Sequence, residues 1–220
     1  MRFWGMVVFG VLGTAILLSL GIWQLQRLAW KQEVLRAIES KILAPAVEIP
    51  QTVLPDAHSL LPVRAEGRYK GDTVRVLVSQ KIYGAGYRLI TAFELVDGRT
   101  IMLDRGFTSV RLEMPSTPEG RGQVIGNLQW PQEIDSFTPE NDLAANIWFA
   151  RDVARLAEHL KAEPVLLVLR DSSFETEAAT PLPKMTANIP NDHMNYAITW
   201  FSLALIWLGM SGYFLYRSRD

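Results

Sequence analysis

Asn188–Tyr216 reads NIPNDHMNYAITWFSLALIWLGMSGYFLY, and from His193 to Tyr216 it carries no formal charge. Leu, Ile, Ala, Phe, Trp and Met dominate it, and it is long enough to cross a bilayer, which takes about 20 residues of α-helix. The reading is a transmembrane helix over 193–216, with His193 in its first turn and Tyr196, Ala197 and Trp200 following at helical spacing. A ligand-capable side chain at the mouth of a membrane helix is costly to keep dry, which marks the position as a candidate site.

The opposite end carries a second charge-free run, FWGMVVFGVLGTAILLSLGIWQLQ, over 3–26. A signal peptide would have an apolar region of about 7–15 residues ending in small residues. This run is longer and leads through Trp23, Gln24 and Arg27 with no A-x-A site, so it reads as an uncleaved anchor. Trp23, Arg27 and Lys31 suit an interface, an aromatic followed by snorkelling cations. Two spans put both termini on one side. Arg2, Arg217 and Arg219 place that side in the cytoplasm by the positive-inside bias, and the central region, 27–190, becomes periplasmic. With no Arg/Ser-rich transit peptide, a bacterial inner membrane is the expected location.

The 220 residues have net charge -1, against the basic excess usual in nucleic-acid binders. The absence of cysteine excludes disulfides, thiolate metal sites, a cysteine nucleophile and covalent CxxCH haem attachment. The mean hydropathy of +0.09 reflects the two terminal runs.

Between the spans, helical spacing of Leu28, Leu35, Ile38 and Ile42 extends the first helix through 27–43, to stop before Pro45. Residues 44–62 form a Pro-containing connector. Strands are predicted at Val63–Tyr69, closed by Lys70-Gly71-Asp72, and at Thr73–Lys81 (TVRVLVSQK, period two). Further strands fall at Tyr87–Val96, Thr100–Phe107, Gln123–Trp130 and Pro164–Arg170, with a hairpin signal at Asp97-Gly98. Asp152–Lys161 is a short amphipathic helix with Ala154, Leu156, Ala157 and Leu160 as its apolar face. Asp171–Pro190 reads as a tether into the second span. The expected fold is therefore an α+β membrane protein. Two transmembrane helices flank a mainly antiparallel, barrel-like β domain with one packed helix.

No GxSxG, HExxH or Walker A pattern occurs, and no catalytic residue is assigned, so the protein is not expected to be an enzyme. Asp104-Arg105 reads as an ion pair or solvated strand end, and His58 and His159 as solvated. Gly86, Gly98 and Gly106 read as turn and bulge positions and Trp148 as core. His193 differs by its place. Neutral imidazole is a good axial ligand for haem iron, so His193 is also the candidate metal ligand. Residues 193, 196 and 200 share a helix face, which offers a nitrogen, a phenol and an indole. If the spans pack side by side, Trp23, Gln24 and Arg27 lie close by. A haem a would then set its tail in lipid, its ring against Trp200 and Trp23, and its propionates near Arg27 and Lys31. Plain interface anchoring accounts for the same residues and leads on position alone.

Four groups of residues shift that order: Gly21-x-Trp23-Gln24-x-x-Arg27 with Trp30-Lys31; Gly86-Tyr87, Thr91, Phe93, Asp97-Gly98 and Asp104-Arg105-Gly106-Phe107; Phe137-x-Pro139-Glu140-Asn141, Asn146-x-Trp148 and Arg151-Asp152; and Asn191-x-His193-x-x-Tyr196-x-x-Thr199-Trp200. In order and spacing, over nearly the whole chain, they resemble the Surfeit-locus family of cytochrome c oxidase assembly factors. Ala92 and Phe107 depart from its usual Pro and Trp. The resemblance implies a part in maturing haem-copper oxidase, at the delivery of haem a into the catalytic subunit. It also implies that His193 is the residue engaged in haem a binding. The competing reading is a membrane-tethered scaffold that holds oxidase subunits or haem a synthase through Phe137–Asp152 or Asp104–Phe107, without binding haem.

Overall fold

The computed structural model describes residues 2–81, 83–174, 179–183 and 189–218. Its elements run α1 (Arg2–Ile42), β1 (Val47–Glu48), α2 (Pro55–His58), β2 (Pro62–Gln80), β3 (Gly84–Leu95), β4 (Thr100–Ser109), β5 (Gly122–Gln129), β6 (Ile147–Trp148), α3 (Val153–Leu160), β7 (Leu166–Ser172) and α4 (His193–Arg217). They form two compact units, Met1–Glu39 with Thr186–Asp220, and Ser40–Met185.

The first unit is a helix pair. α1 and α4 are each long and apolar enough to cross a membrane. No proline interrupts residues 2–44, so the anchor and its extension form one helix that ends just before Pro45. Hydroxyls within the apolar runs are satisfied by the helices themselves: Thr14 Oγ1 donates to Gly10 O (2.8 Å) and Thr199 Oγ1 to Asn195 O (2.9 Å). The helices pack antiparallel, since Gly10 meets Ser211, Gly13 meets Trp207 and Gly21 meets Phe201. A Cβ at Gly21 would sit 2.7 Å from the Phe201 ring. Close approach at small residues is how apolar helices associate where no hydrophobic effect separates helix from lipid. The Trp207 indole donates to Gly10 O at 3.1 Å.

The second unit is a closed barrel. Its ring runs β2-β3-β4-β7-β5 and closes through β5–β2, while β1 and β6 add to β2. β4–β7 is parallel and the other ring pairs are antiparallel. Alternate residues of all five strands, among them Val63, Phe93, Leu103, Val124 and Leu167, fill the interior. The opposite faces of β2, β3, β4 and β7 supply Val76, Ile90, Met102 and Val168 to a second core, covered by Trp148 and α3. Asp152 caps α3 by accepting from Ala154 N and Arg155 N, and Lys161 closes it in the left-handed region.

Several expectations are corrected. The predicted strands 63–69 and 73–81 are one strand: β2 runs through Gly71 (φ +72) by a register shift between Lys70 and Thr73. A glycine at positive φ makes a bulge as readily as a turn, and the uninterrupted β3 alongside decides for the bulge. α3 buries Val153 with Leu156 and Ala157, whereas Ala154 is exposed. The connector 44–62 contains β1 and α2, and His58 Nδ1 accepts from Leu54 N at 2.9 Å, closing its own turn. His159 is exposed but sets its ring edge-on to Trp148, centroids 5.4 Å apart. The supposed tether is fastened to the barrel. Residues 171–172 belong to β7, Phe174 packs on Tyr69 and Phe93, and Thr180 exchanges backbone hydrogen bonds with Phe107. The remainder of that stretch, 175–178 and 184–188, and Arg219 lie outside the described residues.

Candidate functional site

His193 opens α4, where it is half-buried, and its Nδ1 lies 2.8 Å from Oε1 of Gln24 on α1. Gln24 is only 9% exposed and belongs to a buried stripe with Gly21 and Leu28. Two turns further along α1, Lys31 Nζ donates to Pro190 O at 2.5 Å. The Gly21–Phe201 and Lys31–Pro190 contacts thus bracket the Gln24–His193 pair and hold its register. Among the described residues, Nε2 of His193 has no hydrogen-bond partner.

The other predicted residues keep varied company. Arg27 lays its guanidinium over the Trp30 ring, 3.9 Å from the centroid, a cation–π contact. Trp23 and Tyr196 are more than half exposed (53% and 56%), and Trp200 is half-buried. The head of α4 and the middle of α1 therefore carry one partly buried polar pair, two cations and four aromatic side chains with accessible surface. Such a set can ligate a metal through one imidazole nitrogen, receive a flat apolar ring and meet anionic groups.

The barrel holds a second polar constellation that local sequence reading missed. Asp104 is fully buried and accepts from Arg88 Nε (2.7 Å) and Arg151 Nη1 (3.4 Å). Arg151 also grips Glu133 through Nε (3.0 Å), Nη2 and its backbone N–H (2.9 Å), while Arg88 Nη2 donates to Leu182 O at 3.0 Å. Burial pushes the Glu133 carboxyl up, but its bonds to Arg151 outweigh this and hold it below the usual glutamate range. Burial likewise pulls Arg151 down, and the bond to Glu133 with the charges of Asp104 and Glu133 raises it overall. A bulge sets Leu89 opposite Gly106 and Ile90 opposite Asp104, so Arg105 is the extra residue of β4, and strand alternation sends Asp104 and Arg105 to different partners. Arg105, also fully buried, faces the Tyr69 ring at 5.2 Å and donates to Ser116 O at 2.9 Å. The expectation of a solvated strand end is therefore corrected. Asp104–Phe107 is buried throughout and offers no docking surface, since the strap through Thr180 covers it.

The model of the SURF1 family matches residues 11–205. The chain belongs to the SURF1 family. The SURF1-like protein of Rickettsia prowazekii is 30% identical over 225 residues, covering 95% of this chain and 88% of its own. That of Rickettsia felis is 27% identical over 200 residues (86% and 88%). Human Surfeit locus protein 1 is 29% identical over 212 residues (84% and 69%). The motifs that carry the SURF1 resemblance divide between the two units. Gly21, Gln24 and His193 build the helix pair, whereas Asp104, Gly106, Trp148, Arg151 and Asp152 build the barrel. Asn141 and Asn146 brace the 141–149 loop, accepting from Phe149 N (3.1 Å) and donating to Thr73 O (2.8 Å). Phe137 stands apart at 90% exposure, on a turn closed by Asp135 and Thr138. Arg88 and Glu133 carried no local signal, since each gains its meaning from a partner far along the chain.

Proposed function

We propose that this protein is a membrane-anchored assembly factor of haem-copper cytochrome c oxidase that holds haem a at His193 and assists its delivery into the catalytic subunit. Membership of the SURF1 family implies the role in oxidase assembly. The observation that carries the haem reading is a half-buried imidazole at the head of α4, bound through Nδ1 and with Nε2 unengaged among the described residues. Haem iron takes an imidazole nitrogen as axial ligand. Trp200, Tyr196 and Trp23 supply aromatic faces, and Arg27 and Lys31 supply the charge that suits propionates. The protein acts as a carrier without turnover, and haem is its cargo.

Purified from cells that make haem a, the protein should show a Soret band that His193→Ala weakens. Arg27→Glu should lower haem occupancy more than Arg111→Glu on the exposed barrel surface. An undiminished band in His193→Ala would remove His193 from the account. The same reading places α1 and α4 in a bacterial inner membrane, with both termini cytoplasmic and the barrel periplasmic. Because the chain lacks cysteine, Asp56→Cys should react with an impermeant thiol reagent on spheroplasts and Ser218→Cys should not. The reverse pattern would invert the topology.

One observation favours an added scaffolding role. Phe137, 90% exposed, is held out by the Asp135–Thr138 turn, and an ordered, solvated aromatic suits a protein contact. Phe137→Ala should reduce co-purification of the oxidase catalytic subunit or haem a synthase while the haem spectrum is kept. Unchanged co-purification would discard this surface.

A further inference from the structure

We infer that Gln24 is a positioning residue that sets the tautomer of His193, fixing the ring proton on Nδ1 and leaving Nε2 as the ligand nitrogen. An amide oxygen has lone pairs and no proton, so in the 2.8 Å contact the ring nitrogen donates and Gln24 Oε1 accepts. A neutral imidazole has one N–H. Once Nδ1 holds it, the lone pair that could meet a metal is on Nε2. Gln24 is suited to this by its place as much as by its chemistry. It is 9% exposed within a helix whose 3–26 run is without charge, where an unsatisfied amide would be costly. It lies one turn from Gly21, whose lack of a side chain admits Phe201, and two turns from Lys31, which is bonded to Pro190. Those contacts fix the helix register, so the amide cannot drift from the ring. An amide in place of a carboxylate also keeps the pair uncharged. It gives no electrostatic encouragement to imidazolium, which has no lone pair to offer. The inference extends the haem-holding role proposed above and rests on that reading for its purpose, though not for its geometry.

The test uses the full chain in lipid nanodiscs, free of haem and with 15N-labelled histidine. Three histidines contribute, and His193→Ala identifies the signals of His193. The expected pattern is a pyrrole-type Nδ1 and a pyridine-type Nε2. Gln24→Leu, which keeps bulk but removes the acceptor, should mix or invert the two. Gln24→Glu, which restores an acceptor oxygen, should return Nδ1–H with a free Nε2 when read at a pH high enough to keep the ring neutral beside the carboxylate. A protonated Nε2 in the native protein, or an unaltered pattern in Gln24→Leu, overturns the inference. Titration with haem then reads the consequence. Loss of an orienting partner of a metal-bound histidine typically weakens binding roughly 10–100-fold, so Gln24→Leu should fall in that range and Gln24→Glu should recover. If the native protein retains no haem, the proposed cargo is wrong, and the nitrogen shifts still decide the role of Gln24 by themselves.

Discussion

In the barrel, Asp104 is buried among cations, with Arg88 and Arg151 on its carboxylate and Glu133 closing the far side of Arg151. In the helix pair, His193 meets the amide of Gln24 through Nδ1 alone. Both arrangements bury polar atoms, but on opposite terms. The barrel network is charge-balanced and saturated, so removing any member strands an opposite charge. The helix pair joins these two groups by a single hydrogen bond and leaves Nε2 without a partner among the described residues. In the haem-holding reading proposed above, that nitrogen is the working group.

That contrast can be broken most easily at Asp104. Asp104→Ala leaves the buried Arg88 without its counter-charge and Arg151 with Glu133 alone, and should destabilise the folded chain by about 3–5 kcal/mol. His193→Ala should shift the same denaturation midpoint by about 1 kcal/mol or less, the scale of one hydrogen bond. Equal losses, followed by circular dichroism of the sheet, would erase the distinction. Next in size is Gly106→Ala. Gly106 has φ +115 and abuts the Thr180 carbonyl, so a Cβ there both strains the backbone and displaces the strap, costing about 1–3 kcal/mol. An unchanged unfolding curve would show that the strap adds nothing to the barrel.

Acid sharpens the comparison further. The folded-state pKa of Glu133 is lowered from 4.5. Its contribution is therefore fully present above that value and is lost as pH falls through the lower folded-state value. Glu133→Gln should flatten the fall in stability on acidification, and a variant whose acid profile overlays the native one would remove Glu133 from the network. The smallest effect belongs to Phe137→Ala, expected within about 0.5 kcal/mol because the side chain is already in solvent.

The two long helices and most strands could be read from the sequence because their signals are local: charge-free length, period two, and Asp or Gly at ends. His193 was legible for the same reason, as a ligand-type residue at the head of an apolar run. Gln24 was visible as a neighbour of Trp23 and Arg27, but its pairing depends on the antiparallel register of two segments at opposite ends of the chain. Gly71 is locally identical in a turn and in a bulge, and only β3 tells them apart. Asp104-Arg105 read as an ion pair or a solvated strand end because neighbouring charges usually are one or the other, whereas Arg88 and Arg151, the partners of Asp104, are brought in by long-range pairing. The strap through Thr180 was hidden because backbone hydrogen bonds leave little trace in composition.

The parallel pair β4–β7 has a bearing on manufacture. Met102 pairs with Ala92 on β3, but the other edge of β4 must wait for Leu166, and one edge of β5 waits for the same strand. A partly delivered chain therefore carries two unmatched strand borders until β7 arrives, and such borders invite aggregation. A product truncated at Gln129 should be degraded or recovered as aggregate, whereas soluble, protease-resistant product would show that the unclosed sheet stands unaided. Timely emergence of β7, late in the chain, thus becomes a quality checkpoint in the biogenesis of this protein.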